Sequence, residues 1–269
     1  SVIVGRSVLA ERYRRDPEFD PHTAFAAAQH HNIPEEEALA RKKAGDPEVK
    51  KARQSAKIPG FALPGGMGVW GLIGYARQNY GIKWRDAENC EGCRRGKAAV
   101  SRDHSCFAAR VRDAWYRQWP EARPYFAHIA SIADGNMMMT HLYSGRVRGG
   151  VGFTDSSNSY FQGLAADASK RALWRVVRAC YDPSLGSPLL GCRPWVMVHD
   201  EIGLETSVDS GAEAAEEMKR LMEEAMQELT PHVPARASCS LMFAWSKKAE
   251  GVRDRGGRLI PFEDRNNAK

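Results

Sequence analysis

Between Asn158 and Leu229 the hydrophobic pattern changes character twice, and this bounds what the chain can fold into. Phe161, Leu164, Ala165, Ala168, Ala172 and Val176 recur at helical spacing, which predicts a helix over Asn158 to Tyr181. Trp195 to Glu205 instead predict two short strands about a tight turn at His199-Asp200. Ala212 to Leu229 return to helical spacing through Met218, Leu221, Met222, Ala225 and Leu229, a Met-rich stripe of the kind that fills cores. A hairpin between two amphipathic helices requires helices packed on a small sheet, an α+β class.

The rest of the chain is mostly helical. Residues 1–45 predict helices broken at Asp16-Pro17 and Asp20-Pro21. Arg41 to Phe61 predict a helix that Pro59 should kink or end near Ile58, because proline lacks a donor and its ring crowds the preceding turn. Pro64-Gly65-Gly66-Met67-Gly68 is a turn, and Val69 to Tyr80 resume the helix until Gly81 caps it. Arg110 to Ile132 predict a helix with a break near Pro120, Gly145 to Phe153 an extended stretch, and Ala237 to Trp245 a short strand. No apolar run reaches the roughly 18 residues of a membrane span, so no membrane partner is expected. Six unevenly spaced cysteines in 269 residues do not make a disulfide scaffold and fit a cytoplasmic protein with reduced thiols.

A net charge of +6 favours a polyanionic partner. Arg41, Lys42, Lys43, Lys50, Lys51, Arg53 and Lys57 crowd one stretch, either as a solvated helix face or as one that meets phosphate. Arg53, Lys57 and Phe61 stand at i, i+4 and i+8 and share a helix face. Two cations and a ring on one face suit a nucleoside triphosphate, with cations on phosphate and the ring by the base or sugar. A basic amphipathic helix anchored by its Phe is the plainer alternative. Val196 to Ile202 place His199, Asp200 and Glu201 between apolar flanks, where a carboxylate held by strands is rigid enough for Mg2+; a polar surface turn is the alternative. Asn158 and Gln162, four apart, carry amides able to read minor-groove acceptors, or are two exposed helix amides. Gly66, Gly68 and Gly71 match G-x-G-x-x-G, but no strand is predicted before them, so a dinucleotide site is set aside. Cys90, Cys93, His104 and Cys106 offer zinc three thiolates and an imidazole, although His-x-Cys is not a usual spacing; thiols in a loop are the alternative.

Taken together these segments resemble the family A DNA polymerases, the polymerase I type. Arg53-Gln-Ser-Ala-Lys57-Ile-Pro-Gly-Phe61 resembles that family's R-x-x-x-K-x-x-x-F segment, and Val198-His199-Asp200-Glu201 its V-H-D-E. Asn158-Ser-Tyr-Phe-Gln162-Gly163 followed by Ala165-Ala166-Asp167 resembles N-x-x-x-Q-G with A-A-D, and Asp20-Pro21-His22-Thr23 resembles D-x-H-T. Order and spacing agree across residues 16–205. The Pro-Gly-Gly stretch resembles phage or mobile-element members. Ala62 replaces the glycine after the aromatic, Gly65 a tyrosine, and Thr154 an arginine, which puts fidelity contacts in doubt but not the fold.

The resemblance implies a palm of small antiparallel sheet with helices at residues 1–23 and 141–269, and mostly helical fingers at 24–140. It implies template-directed DNA synthesis, transferring a nucleotide from dNTP to a primer 3′-hydroxyl by a two-metal mechanism with Mg2+. Arg53, Lys57, His22 and Phe61 would hold the nucleotide, Lys57 also protonating the leaving pyrophosphate. Asn158, Gln162 and His199 would touch the primer–template, Asp200 would ligate metal and Glu201 would support it. The family's first motif, D-Y-S-x-x-E, has no counterpart here, nor do the thumb and the exonuclease domain. With Ser1 at its start, the chain is expected to be a fragment that is inactive alone and needs an N-terminal polymerase region in cis or in trans. The alternatives are a non-catalytic DNA-binding portion and one half of a split polymerase.

Overall fold

Proline and acidic caps lay out the first helices of the computed structural model, which describes residues 3–85, 90, 106–134 and 138–263. Helix α1 (Val8–Arg15) starts where the Ser7 hydroxyl accepts from Ala10 N at 3.1 Å. Glu121 Oε1 in turn accepts from Ser7 Oγ at 2.8 Å and Leu9 N at 2.9 Å, tying α1 to the chain over a hundred residues on. Asp20 caps α2 (Pro21–Ala26), with Pro21 in the first turn where its missing N–H costs nothing. A π-helical turn, Ala27–His31, ends at Asn32 with φ of 47°. Helix α3 (Glu35–Lys43) has three glutamates in its first turn and Arg41, Lys42 and Lys43 in its last, each set opposing the helix dipole favourably.

The helix expected from Arg41 to Phe61 is instead two. Gly45, at φ of 86°, breaks it, and Asp46 restarts it as α4 (Pro47–Ala62), accepting from Glu48 N at 2.8 Å and Val49 N at 3.3 Å. Nor does α4 end near Ile58. Pro59 forfeits only the bond of its own nitrogen; its carbonyl still accepts from Leu63 N at 3.0 Å. Ile58, Pro59 and Leu63 are all fully buried, so packing outweighs the cost of proline, about 3 kcal/mol in a helix interior. Helix α5 (Val69–Tyr80) closes on Gly81 in the left-handed region, φ 66°, as its spacing predicts. Gly68 is its N-cap, and no strand among the described residues precedes it.

Helices α6 (Phe107–Gln118) and α7 (Ala122–Asp134) flank Pro120, and the hairpin of β1 (Met138–Thr140) and β2 (Val147–Gly149) follows. One core joins Phe19, Phe25, Ile58, Leu63, Leu72, Trp115 and Trp119. Residues 158–181 do not form the single α-helix expected. They are the end of α8 (Phe153–Asn158), a π-helical turn Ser159–Gly163, and α9 (Leu164–Tyr181).

The chain forms two compact units: residues 1–141 with 146–161, and residues 142–145 with 162–269. In the second, α9 packs on α10 (Gly211–Leu229) and on β3 (Arg193–Val198), which pairs with β4 (Glu201–Glu205), and the four share a core with Val176, Leu189, Ile202 and Ala225. Met218 and Met222 pack against this core, the role expected of the Met stripe. The strand expected over Ala237 to Trp245 shrinks to β5 (Leu241–Met242). It pairs in parallel with β7 (Leu259–Phe262), which pairs antiparallel with β6 (Val252–Arg253), so this sheet is mixed rather than antiparallel. No helix among the described residues is long and apolar enough to cross a membrane.

The turn after α4 sets up a stability test. Gly66 has φ of 78°, and a Cβ there would lie 2.7 Å from Phe153 Cε1. Gly66→Ala combines backbone strain with a clash and should lower stability by roughly 1–3 kcal/mol, read as a lower urea midpoint.

Candidate functional site

In the first unit a single carboxylate organises the face of α4. Asp20 Oδ2 accepts from Arg53 Nε at 2.6 Å, from Lys42 Nζ at 2.7 Å and from Thr23 Oγ1 at 2.8 Å. Its other oxygen caps α2 through His22 N and Thr23 N. Burial alone would raise the Asp20 carboxyl, but the bonds from Arg53, Lys42 and Thr23 outweigh it and hold the group well below the usual carboxylate range.

His22, on α2, lies directly over Gly60. A Cβ at that glycine would come within 2.5 Å of His22 Cε1, so only glycine admits the ring so close to α4. The imidazole also meets the Phe61 ring, with centroids 5.0 Å apart. Burial pushes the His22 pKa down; Asp20 opposes this, and Arg53 and Lys57 add to it. A bond between the ring and the Ala56 backbone also opposes the shift and ties His22 to α4. Lys57 is half-buried and has no ion-pair partner among the described residues. Phe61 is 57% exposed, although Ile58 and Pro59 just before it are fully buried. Asn158 borders the turn that follows: a Cβ on Gly65 would sit 2.6 Å from its Oδ1. Arg53, Lys57, Phe61, His22 and Asn158 thus share the first unit, and α4 presents the first three as expected.

In the second unit Val198 pairs with Glu201, so His199 and Asp200 alone form the loop of the β3–β4 hairpin. All three polar residues of the tip are exposed. His199 has φ of 56°, a sterically costly conformation for a residue with a Cβ. His199→Gly removes that strain and should raise stability by about 1 kcal/mol in urea denaturation. The tip borders a cleft of about 1350 Å³ lined also by Trp195, Met222, Arg236 and Trp245. Gln162 is exposed at the other end of the π-helical turn from Asn158.

Asp200 and Glu201 supply hard oxygen donors of the kind Mg2+ takes. Among the described residues no group of three or more His, Cys, Asp or Glu is gathered for a metal. Of the four residues weighed for zinc, Cys93 and His104 lie outside the described residues. Cys90 and Cys106 pack into one small cluster with Val69, Ile73 and Ala109.

Sequence reasoning gave Lys42 and Asp20 no individual part. The Asp20-Pro21 cap signature was visible, but the side chains that converge on it come from 22 and 33 positions away.

The fold is of the class found in DNA polymerase domains of the polymerase I type. It is similar to the POL domain of Pol1 from M. smegmatis, solved in complex with DNA primer-template and dNTP, with a TM-score of 0.59 and 21% identity over 89% of this chain and 36% of that one. In sequence the chain is similar to DNA polymerase I of Aquifex aeolicus (strain VF5), 23% identical over 200 residues. That match takes in 74% of this chain but spans only 31% of the relative's length. No protein-family model matches the chain.

Proposed function

We propose that this chain is the fingers and palm portion of a family A DNA polymerase, extending a primer 3′-hydroxyl with dNTPs against a DNA template. The observation that carries this is the α4 face, where Arg53, Lys57 and Phe61 stand in file with His22 packed over Gly60. It supports a triphosphate site because two cations and an exposed ring share one helix face, with the His22 ring of α2 packed against it. Fingers over residues 24–140, with palm over 1–23 and 141–269, fit this role.

Arg53, tethered at Nε, offers its remaining nitrogens as a fork to phosphate oxygens. Lys57 binds phosphate and gives its proton to the departing pyrophosphate, restoring the charge balance when the P–O bond breaks. His22, its ring held over Gly60 and against Phe61, would border the phosphates. Phe61 stacks beside the incoming nucleotide. Asn158 and Gln162 contact the template–primer, and His199 lies by the primer terminus. Asp200 would hold magnesium and Glu201 would support it, with further ligands from water, phosphate and the aspartate of the family's first motif. When bound, magnesium neutralises charge on the transferring phosphoryl group.

The chain would therefore be incomplete by itself, and primer extension with and without a polypeptide carrying the first motif tests this. Incorporation by these 269 residues alone would refute incompleteness. Incorporation only on addition of that polypeptide supports it. In the complemented enzyme, Lys57→Ala should raise the apparent KM for dNTP about tenfold and lower kcat about a hundredfold. An unchanged KM and rate would remove Lys57 from the site.

A further inference from the structure

We propose that Lys42 is an additional phosphate-binding cation of the triphosphate site, parked on Asp20 while the site is empty and passed to the nucleotide when it binds. Asp20 is then the positioning residue for both Lys42 and Arg53. The proposal rests on the triphosphate reading of the α4 face.

Lys42 Nζ and Arg53 Nε donate to the same oxygen, Oδ2 of Asp20, at 2.7 and 2.6 Å. The two cationic nitrogens are thus no farther apart than those two bonds together allow. One carboxylate faces two full positive charges, so the cluster carries an uncompensated charge before Lys57, one turn along α4, is added. Such an excess in a partly desolvated place favours a polyanion. The exposures fit a handover. The Asp20 side chain is only 10% exposed, whereas those of Lys42 and Arg53 are 35% and 28% exposed and so remain open to a ligand. A lysine is also the cation suited to move, since its ammonium sits on a flexible stem and binds as a point charge, whereas Arg53 keeps its fork while its Nε stays tethered. Lys42 comes from the last turn of α3, and the α3–α4 break at Gly45 is what folds it back toward α2.

The plainer account is an ion cluster that only ties α2, α3 and α4 together. It predicts that losing Lys42 lowers stability without touching ligand affinity. Titration calorimetry on this chain with inorganic tripolyphosphate, dATP and deoxyadenosine separates the two. Lys42→Gln should weaken tripolyphosphate and dATP binding by about tenfold, leave deoxyadenosine unchanged, and recover largely in Lys42→Arg. Wild-type affinity in Lys42→Gln alongside a loss in Lys57→Gln would overturn the role of Lys42 and leave the triphosphate reading standing. Tripolyphosphate affinity unchanged in both variants would overturn the two together. If Lys42→Gln does not fold, the Lys42 Hε–Cε resonances of the wild-type chain should shift on adding tripolyphosphate, and their failure to move would overturn the proposal.

Discussion

If the proposed function holds, Asp200→Asn in the complete polymerase is expected to lower single-turnover nucleotide incorporation about a thousandfold while primer–template affinity changes less than threefold. Asparagine keeps the shape of the side chain and removes its charge. The loop it sits in is fixed by the pairing of Val198 with Glu201 and by the strands behind them, so the hairpin should survive the change. A metal clamp on the transferring phosphoryl group contributes several kcal/mol, and each 1.36 kcal/mol is a factor of ten in rate. DNA affinity should be nearly untouched, because a protein's hold on DNA is spread over many phosphate contacts and would not depend on one carboxylate. Single-turnover primer extension gives the rate and fluorescence anisotropy the affinity. Lost DNA binding with normal turnover would reject the metal-ligand role. His199→Gly, next door, should separate stability from activity: the chain becomes more stable, yet primer extension falls, because the imidazole proposed to lie by the primer terminus is gone.

Where a local signal decides the structure, the sequence was readable. The hairpin tip needs only alternation on both sides of three polar residues, and it appears between Val198 and Glu201 as expected. Helix α5 needs only its spacing and Gly81, which takes the left-handed cap. Three failures share one cause, the weight of distant contacts. Pro59 is tolerated inside α4 because its surroundings are fully buried. The π-helical turn at Ser159–Gly163 adds one residue to a turn without disturbing the apolar spacing on either side. The parallel pairing of Leu241 with Pro261 joins segments whose composition says nothing of each other. The break at Gly45 was readable and missed, since Asp46-Pro47 repeats the same cap signature as Asp20-Pro21. For the candidate site, motif spacing singled out Arg53, Lys57 and Phe61, all three carried by α4. It could not find that Arg53 shares its counter-ion with Lys42, because that fact exists only once α2, α3 and α4 are packed.

That shared counter-ion supports the largest stability effect expected of one substitution. Asp20→Asn should cost about 3 kcal/mol at pH 7, because removing one partner from a mostly buried ion cluster leaves the others uncompensated. The lower end of the usual range applies, since Lys42 and Arg53 are partly exposed and partly screened. Loss of the cap contributes little. Asparagine is as good an N-cap as aspartate, and its carbonyl can still accept from His22 N and Thr23 N, so the deficit reports the charge. The pH dependence follows from the direction of the Asp20 shift. Its folded pKa is lowered, so its contribution is complete above the unfolded value, near pH 4, and is lost as pH falls from there through the folded value. Urea midpoints of wild type and Asp20→Asn should therefore be farthest apart at pH 7 and converge as the pH is taken below about 4. A gap that stays constant from pH 7 to acid would mean that the lost stability comes from the shape of the side chain, and the ionised Asp20 would not be what holds Arg53 and Lys42 in place.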